Sequence, residues 1–255
     1  MKKYFAILLG VLFLFACQRG EPVSGSNIYR KRADGIYFDL GIIYGAKRLD
    51  VDEDSFEVLE GWHAKDKDQV FFKGRYICNA DPATFEVLGE YYGKDKSHVF
   101  YWNDLIAGAN PATFKVLTLF TGRDDKHVFY MDRMVVGADP DSFYIKEKEV
   151  PSNEDGVLMD KDHVFVFDER NNKYYPSTLN LDRNTVEYVA GAWLPLLKDK
   201  NGVYWRNEKL PVDVQSFHED DRDPLCCWKD KKEKYCRPCD GEVEWIFDTK
   251  GNVWK

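Results

Sequence analysis

The chain has 255 residues and a formal net charge of −8, from 44 acidic against 36 basic side chains. An acidic body offers no electrostatic footprint for nucleic acid and little attraction to anionic lipid headgroups. With 15% aromatic and 44% apolar residues it is not a disordered polymer, and it is long enough for one sizeable core or a continuous repeat array.

Residues 1–16 read as a signal peptide: Lys2 and Lys3 give a basic start, and the apolar run Tyr4 to Leu14 is too short to span a membrane. The run ends in Leu14-Phe15-Ala16-Cys17, which resembles a lipobox. That resemblance implies cleavage before Cys17, a diacylglycerol on its sulfur and a palmitate-type acyl group on its amine. Several acyl chains would hold the protein on a bilayer, since each buried CH₂ contributes about 0.8 kcal/mol. Residues 17–30 then form a short tether, polar and rich in Gly, Pro and Ser from Gln18 to Asn27. Gln18 is not the Asp that retains many Gram-negative lipoproteins at the inner membrane. The expectation is therefore a lipid-anchored protein of the cell envelope, on the outer membrane and facing the periplasm.

Residues 31–255 are repetitive. Segments beginning at Lys65, Lys94 and Arg123 align without gaps at a spacing of 29 residues: KDKDQVFFKGRYICNADPATFEVL, KDKSHVFYWNDLIAGANPATFKVL and RDDKHVFYMDRMVVGADPDSFYIK. Worn copies start near Ala33, Asp160, Asp199 and Asp230, so about seven units fill the mature chain. A DK-x-x-V-[FY]-[FY] box followed in phase by a G-A-D-P-x-[TS]-F box resembles the DKNYY family of bacterial envelope proteins, over essentially all of the mature chain. The resemblance implies the repeat architecture and carries no activity with it. Two places depart from the family core: the Cys-rich last unit and the loop from Glu147 to Gly156.

Within the unit from Lys94, Val99-Phe100-Tyr101-Trp102 is β-branched and aromatic, and Asn103-Asp104 supplies a tight turn before Leu105-Ile106-Ala107. Asn110 before Pro111 reads as the cap of one helical turn, matched by Asp81 before Pro82 and Asp139 before Pro140. A third strand follows from Lys115 to Phe120. Successive strand residues point to opposite faces, and here both faces are apolar, so units must pack against one another. The expected fold is all-β with single helical turns, a tandem array of β-meander repeats stacked like a solenoid. A propeller-like closure is the alternative, although 29 residues are few for a four-stranded blade of about 40–45.

Several constellations deserve a chemical reading. The pairs Asp66/Lys67, Asp95/Lys96, Asp160/Lys161, Asp199/Lys200 and Asp230/Lys231 could form a carboxylate-activated lysine or a calcium ladder, but a catalytic site is needed once and this pair recurs in each unit. An Asp bonding its own turn, with Lys in water, accounts for them. His98, His127 and His163 share one repeat position and could stack into a metal column, yet Gln69 and Gly202 fill the same place elsewhere. The run Asp50 to Asp54 opens like a calcium loop but has Gly61 where a bidentate acid belongs, so Asp52 reads as a cap. Cys226, Cys227, Cys236 and Cys239 could hold zinc; an oxidising envelope favours disulfides, pairing Cys226 and Cys227 with Cys236 and Cys239 in one of two ways. Cys78 aligns with Ala107 and Val136 and is expected to be a buried thiol.

No catalytic motif and no cofactor is implied. The leading expectation is a non-catalytic binding or scaffolding module, anchored to the membrane by its lipid, whose partner is an envelope protein or glycan. The alternative is an envelope hydrolase or thiol oxidoreductase with its site in the last unit or the insertions. Changing Cys17 to Ser should abolish lipid attachment, and cell fractionation should find the variant soluble or unprocessed; a firmly membrane-bound variant would contradict the lipobox.

Overall fold

The structure, a computed structural model, describes residues 20–24, 26–41, 43–147, 156–168, 171–189, 196–205, 208–219, 227–231, 234–236, 246–248 and 253–254. Over these residues it is an all-β repeat array of small sheets, antiparallel except for one pairing at Val135 and Tyr174, and none closes into a barrel. No helix among them is long and apolar enough to cross a membrane. Contacts divide the chain into two compact units, Met1–Asp125 with Phe129–Asp132 and Lys126–Val128 with Arg133–Lys255, each taken here by itself.

A repeat makes four strands where the sequence suggests three. One sheet consists of Glu86–Val87, Tyr92–Lys94, Val99–Tyr101 and Asp104–Leu105, hydrogen-bonded in chain order, and the preceding one of Glu57–Val58, His63–Lys65, Val70–Phe72 and Arg75–Tyr76. The difference lies in the single strand expected from Lys115 to Phe120. The Leu117 N–H bonds the Thr121 carbonyl at 2.9 Å, and the Thr118 hydroxyl accepts the N–H groups of Phe120 and Thr121 at 3.2 and 3.1 Å. The chain therefore reverses and gives two strands, Lys115–Val116 and Thr121–Arg123. Outer strands as short as two residues let 29 residues hold a four-stranded meander. The expected helical turns close as turns only: Thr84 N–H reaches the Asp81 carbonyl at 3.2 Å, and no helix forms among the described residues.

Packing follows from the two-faced inner strands. From Val70–Phe72, Phe71 joins Tyr29, Ile36, Phe38 and Leu49 on one side, while Val70 and Phe72 join Ile77, Phe85 and Phe100 on the other. In the second unit Leu197 and Tyr204 face Val157, Met159 and Val186, whereas Leu196, Val203 and Trp205 face Leu210 and Phe217. Successive sheets thus stack face to face and share rings. Phe114 lies between Tyr92 and Phe129, with ring centroids 5.7 and 6.0 Å away. Its ring fills the place of a side chain at Gly122, where a Cβ would come within 2.3 Å. Phe85 and Phe217 are buried likewise; Phe143 is only half-buried.

Six of the repeats are closed by a carboxylate. Asp66, Asp95, Asp124, Asp160, Asp199 and Asp230 are all buried. One carboxylate oxygen of each accepts the backbone N–H of the preceding box's cap residue: Asp52, Asp81, Asn110, Asp139, Asp182 and Asp213, at 2.7–3.0 Å. In four of them the other oxygen holds the following turn, as when Ser97 and His98 donate to Asp95 at 2.7 Å each. Burial by itself would raise the Asp95 pKa, but the N–H donors of Asp81, Ser97 and His98 outweigh it and lower it, and Asp160 behaves in the same way.

Two further features concern the first two sheets. Part of the stretch assigned to the tether is folded, because Glu21–Pro22 pairs with Tyr29–Arg32 and the Ser26 hydroxyl accepts the N–H groups of Ile28 and Tyr29 at 3.1 Å. Residues 17–19 of the stretch read as a tether lie outside the described part. His63 is fully buried against Phe72 and Phe85, with no hydrogen-bond partner for Nε2. Burial lowers its pKa from 6.5 to about 4, only partly opposed by the Glu60 carbonyl.

Two outcomes are expected. A buried donor left without its partner costs about 1–3 kcal/mol, so Asp95→Ala, which strands three, should lower the unfolding free energy by about 2–4 kcal/mol in urea melts. Lys96→Ala on the same turn should leave the curve close to that of the unaltered chain. His63 is neutral when folded and binds a proton more readily when unfolded. Its stabilising effect is therefore complete above pH 6.5 and declines as pH falls towards 4, by about 1.4 kcal/mol per pH unit once well below 6.5. His63→Phe should flatten that part of the stability–pH profile; parallel profiles would show that His63 is not held neutral.

Candidate functional site

The hairpin tips of three successive repeats in the first unit converge on one aromatic strip. Trp62, Tyr91 and Phe120 hold the same position just before an inner strand. Each carbonyl accepts an N–H from the tip of its own sheet's next hairpin: Lys73 to Trp62 at 3.0 Å, Trp102 to Tyr91 at 2.8 Å and Met131 to Phe120 at 2.6 Å. The three tips have positive φ, 48°, 56° and 56°, a conformation that non-glycine residues seldom adopt. The hairpin imposes it. Phe100 pairs with Leu105 and Tyr101 with Asp104, which leaves a two-residue loop, Trp102-Asn103. The turn thus starts one residue earlier than the sequence suggests, and Trp102 is a tip rather than the end of a strand.

The rings touch. Tyr91 stands edge-on to Trp102 at 5.9 Å and lies 6.2 Å from Phe120, while Trp102 stacks on Phe72 at 6.2 Å and on Tyr101 at 5.6 Å. The Lys73 ammonium sits among them, 4.7 Å from the Trp62 ring centre, 5.2 Å from Trp102 and 5.5 Å from Tyr91. Such contacts stabilise by about 0.5–1 kcal/mol each where water reaches them. Trp62 donates its indole N–H to Glu90 at 3.2 Å. Trp102 remains 43% exposed. Beside Trp62, a shallow groove of about 390 Å³ is lined by Ser24, Ser26, Ile28, Leu59 and Gly61. Trp102 is thus the exposed ring of the strip, and the groove beside Trp62 is shallow and rimmed by polar groups.

The Asp-Lys pairs have another purpose. In every pair the Asp is the buried clasp, and the exposed Lys turns back to the cap: Lys96 reaches Asp81 at 2.9 Å, Lys161 Asp139 at 3.1 Å and Lys231 Asp213 at 2.7 Å, and Lys67 and Lys200 meet Asp52 and Asp182. These lysines hold Asp52, Asp182 and Asp213 at a pKa of about 2, and the cap carboxylates raise the lysines in turn. A lysine stabilised as a cation is a poor nucleophile. Where the cap is Asn110, the acid has moved across: Asp125 replaces the lysine, and Thr113 donates to it at 2.7 Å. Asp52 is accordingly a cap, its carboxylate accepting the N–H and hydroxyl of Ser55.

His98 and His163 lie against their own clasps, with Nδ1 3.5 Å from Asp95 and 3.2 Å from Asp160. Among the described residues no three His, Cys, Asp or Glu side chains gather as a metal site. Cys78 corrects the expectation of a buried thiol, for it is free and exposed. Its neighbour Ile77, with Ile106 and Val135 at the same place in the next repeats, is the buried residue, so the expected core position was one residue late. Cys227 and Cys236 stand opposite each other on paired strands, whereas Cys17, Cys226, Cys239 and residues 148–155 of the loop after Glu147 lie outside the described part. Sequence reading passed over the tip position. Its signal was the start of a variable stretch, at Lys73, Trp102 and Met131, directly after the regular Val-Phe-[FY] box.

The comparisons agree with this picture of a repeated unit. No curated protein and no solved structure matches the chain. The DKNYY family profile matches twice, over residues 19–104 and 92–238, two overlapping stretches that together span well over half of the sequence. With its clasped repeats running through both matched stretches, this chain belongs to the DKNYY family.

Proposed function

We propose that this protein is a non-catalytic binding module of the bacterial envelope, held at the membrane by a lipid on Cys17, and that the aromatic strip of its first unit is the binding surface. The observation that carries the reading is Trp102: a bulky residue held at positive φ on a hairpin tip, 43% exposed, and stacked on Phe72 and Tyr101. A position like this costs about 1–3 kcal/mol of backbone strain. Presentation of the ring to a partner explains why a tryptophan is there.

The chemistry of the strip favours a glycan strand. Sugar rings offer C–H faces that stack on aromatic faces, and their hydroxyls find acceptors and donors in Glu90, Asn103 and the loop around Ser24 and Ser26. The net charge of −8 and the lack of a deep cleft at the strip suit a neutral, extended ligand better than a nucleic acid or a small buried substrate.

The test is a photo-crosslinking residue at position 102 in cells, paired with sedimentation of the purified chain on insoluble envelope glycan. Trp102→Ala should weaken sedimentation about tenfold, the loss expected from about 1.4 kcal/mol of ring stacking, with an unchanged melt. Crosslinks to one protein, with no binding to glycan, would replace the glycan by a protein partner. Wild-type behaviour of Trp102→Ala in both assays would remove the strip from the function.

A further inference from the structure

In the last repeat, strands Cys227–Lys229 and Lys234–Cys236 run antiparallel, with Cys227 opposite Cys236, Trp228 opposite Tyr235 and Lys229 opposite Lys234. Opposed residues of an antiparallel ladder alternate between hydrogen-bonded and non-hydrogen-bonded pairs. The latter bring Cα atoms to about 4.5 Å, inside the range of about 4.4–6.8 Å that a disulfide spans.

The phase of the ladder can be counted from the clasp. In an earlier repeat the Asp66 N–H donates to the Gln69 carbonyl, so those two form a hydrogen-bonded pair. Stepping outward, Lys65 and Val70 are non-hydrogen-bonded, Ala64 and Phe71 are hydrogen-bonded, and His63 and Phe72 are non-hydrogen-bonded. Counting from Asp95, whose N–H donates to the His98 carbonyl, puts Tyr92 and Tyr101 in that same state. Asp230 is the clasp of the last repeat, bound by the Asp213 N–H at 2.7 Å. Cys227 precedes it as His63 precedes Asp66, and Cys236 follows it as Phe72 follows Asp66.

We propose that Cys227 and Cys236 form a cross-strand disulfide. The same position in other repeats is filled by buried partners in contact: His63 and Phe72 with ring centres 4.9 Å apart, Tyr92 and Tyr101 at 5.0 Å, and Leu196 opposite Trp205. The last repeat has two small thiols there and no rings. A sulfur–sulfur bond joins the two inner strands at the place where the other repeats pack side chains. The two thiols lose two protons and two electrons, which pass to the disulfide of an oxidised dithiol exchange partner and leave that partner as a dithiol. Of the two pairings open to the cysteine cluster, this one leaves Cys226 to Cys239.

Formation in the cell rests on the export reading, so the test separates geometry from location. The full chain carrying Cys226→Ser and Cys239→Ser is equilibrated with glutathione disulfide, alkylated and digested with trypsin. The peptide bearing Cys227 should be linked to the one bearing Cys236, and reductant should release both. The unaltered chain, purified unreduced from the envelope, gives an independent reading through fragmentation between Cys226 and Cys227. A Cys227–Cys239 or Cys226–Cys236 link there would overturn the proposal. So would alkylation of both thiols in the double variant, or thiols in the unaltered chain that react only after a chelator is added. A Cys227–Cys236 link that forms with glutathione disulfide but is missing from the envelope-purified chain would uphold the pairing and overturn its formation in the cell.

Discussion

The architecture depends on burying a charge. Taking a carboxylate out of water is costly unless its lone pairs are filled by donors, and a buried Asp is tolerated only where the backbone supplies them. Here the backbone has donors that need acceptors. The cap N–H at the start of each box turn and the two N–H groups of the following turn face away from any ladder. Asp66, Asp95, Asp160 and Asp199 each gather three of them, so acceptor and orphaned donors satisfy one another. The clasp thereby ties the end of one box to the start of the next and sets where the inner hairpin begins.

Because it joins two fixed points, the clasp tolerates change between them. Cap and clasp lie 14 residues apart at Asp52, Asp81 and Asn110, 21 apart at Asp139, and 17 apart at Asp182 and Asp213, yet the bond length stays within 2.7–3.0 Å. Loop length adds little to closure cost, about 0.6 kcal/mol for each doubling, so an insertion inside the clasped segment is inexpensive. The ion pair outside the clasp is also adjustable, as the exchange to Asn110 and Asp125 shows. What repeats is the buried acceptor; the surface charge around it can be rearranged.

Much of this was legible in the sequence. Two in-phase boxes disclosed the repeat, and apolar residues on both faces of Val-Phe-[FY] required stacked sheets, which the shared cores around Phe71 and Phe72 display. Other features depend on register, to which a pattern of residue types is nearly blind. One-residue shifts put Cys78 on the outer face and Trp102 on a tip. The Thr118 turn divided an apparently continuous strand through one hydroxyl. The depth of the clasp was equally hidden. An Asp bonding its own turn is a local reading, whereas the bond from a cap 14 or more residues away appears only when the sheet is assembled.

Substitution among the repeats of this one chain separates scaffold from surface. The clasp is Asp in all six described cases, and the hydroxyl three residues after the cap is Ser or Thr at 55, 84, 113, 142, 185 and 216, donating in each case to the acid beside it. Those positions answer to the same geometry six times and cannot differ. The hairpin tips share a positive φ, which glycine or asparagine would meet with less strain, and they carry Lys73, Trp102 and Met131, the first two packed on neighbouring rings. The clasps are thus the fixed points of the fold, and the proposed binding surface falls on tips whose side chains differ from repeat to repeat.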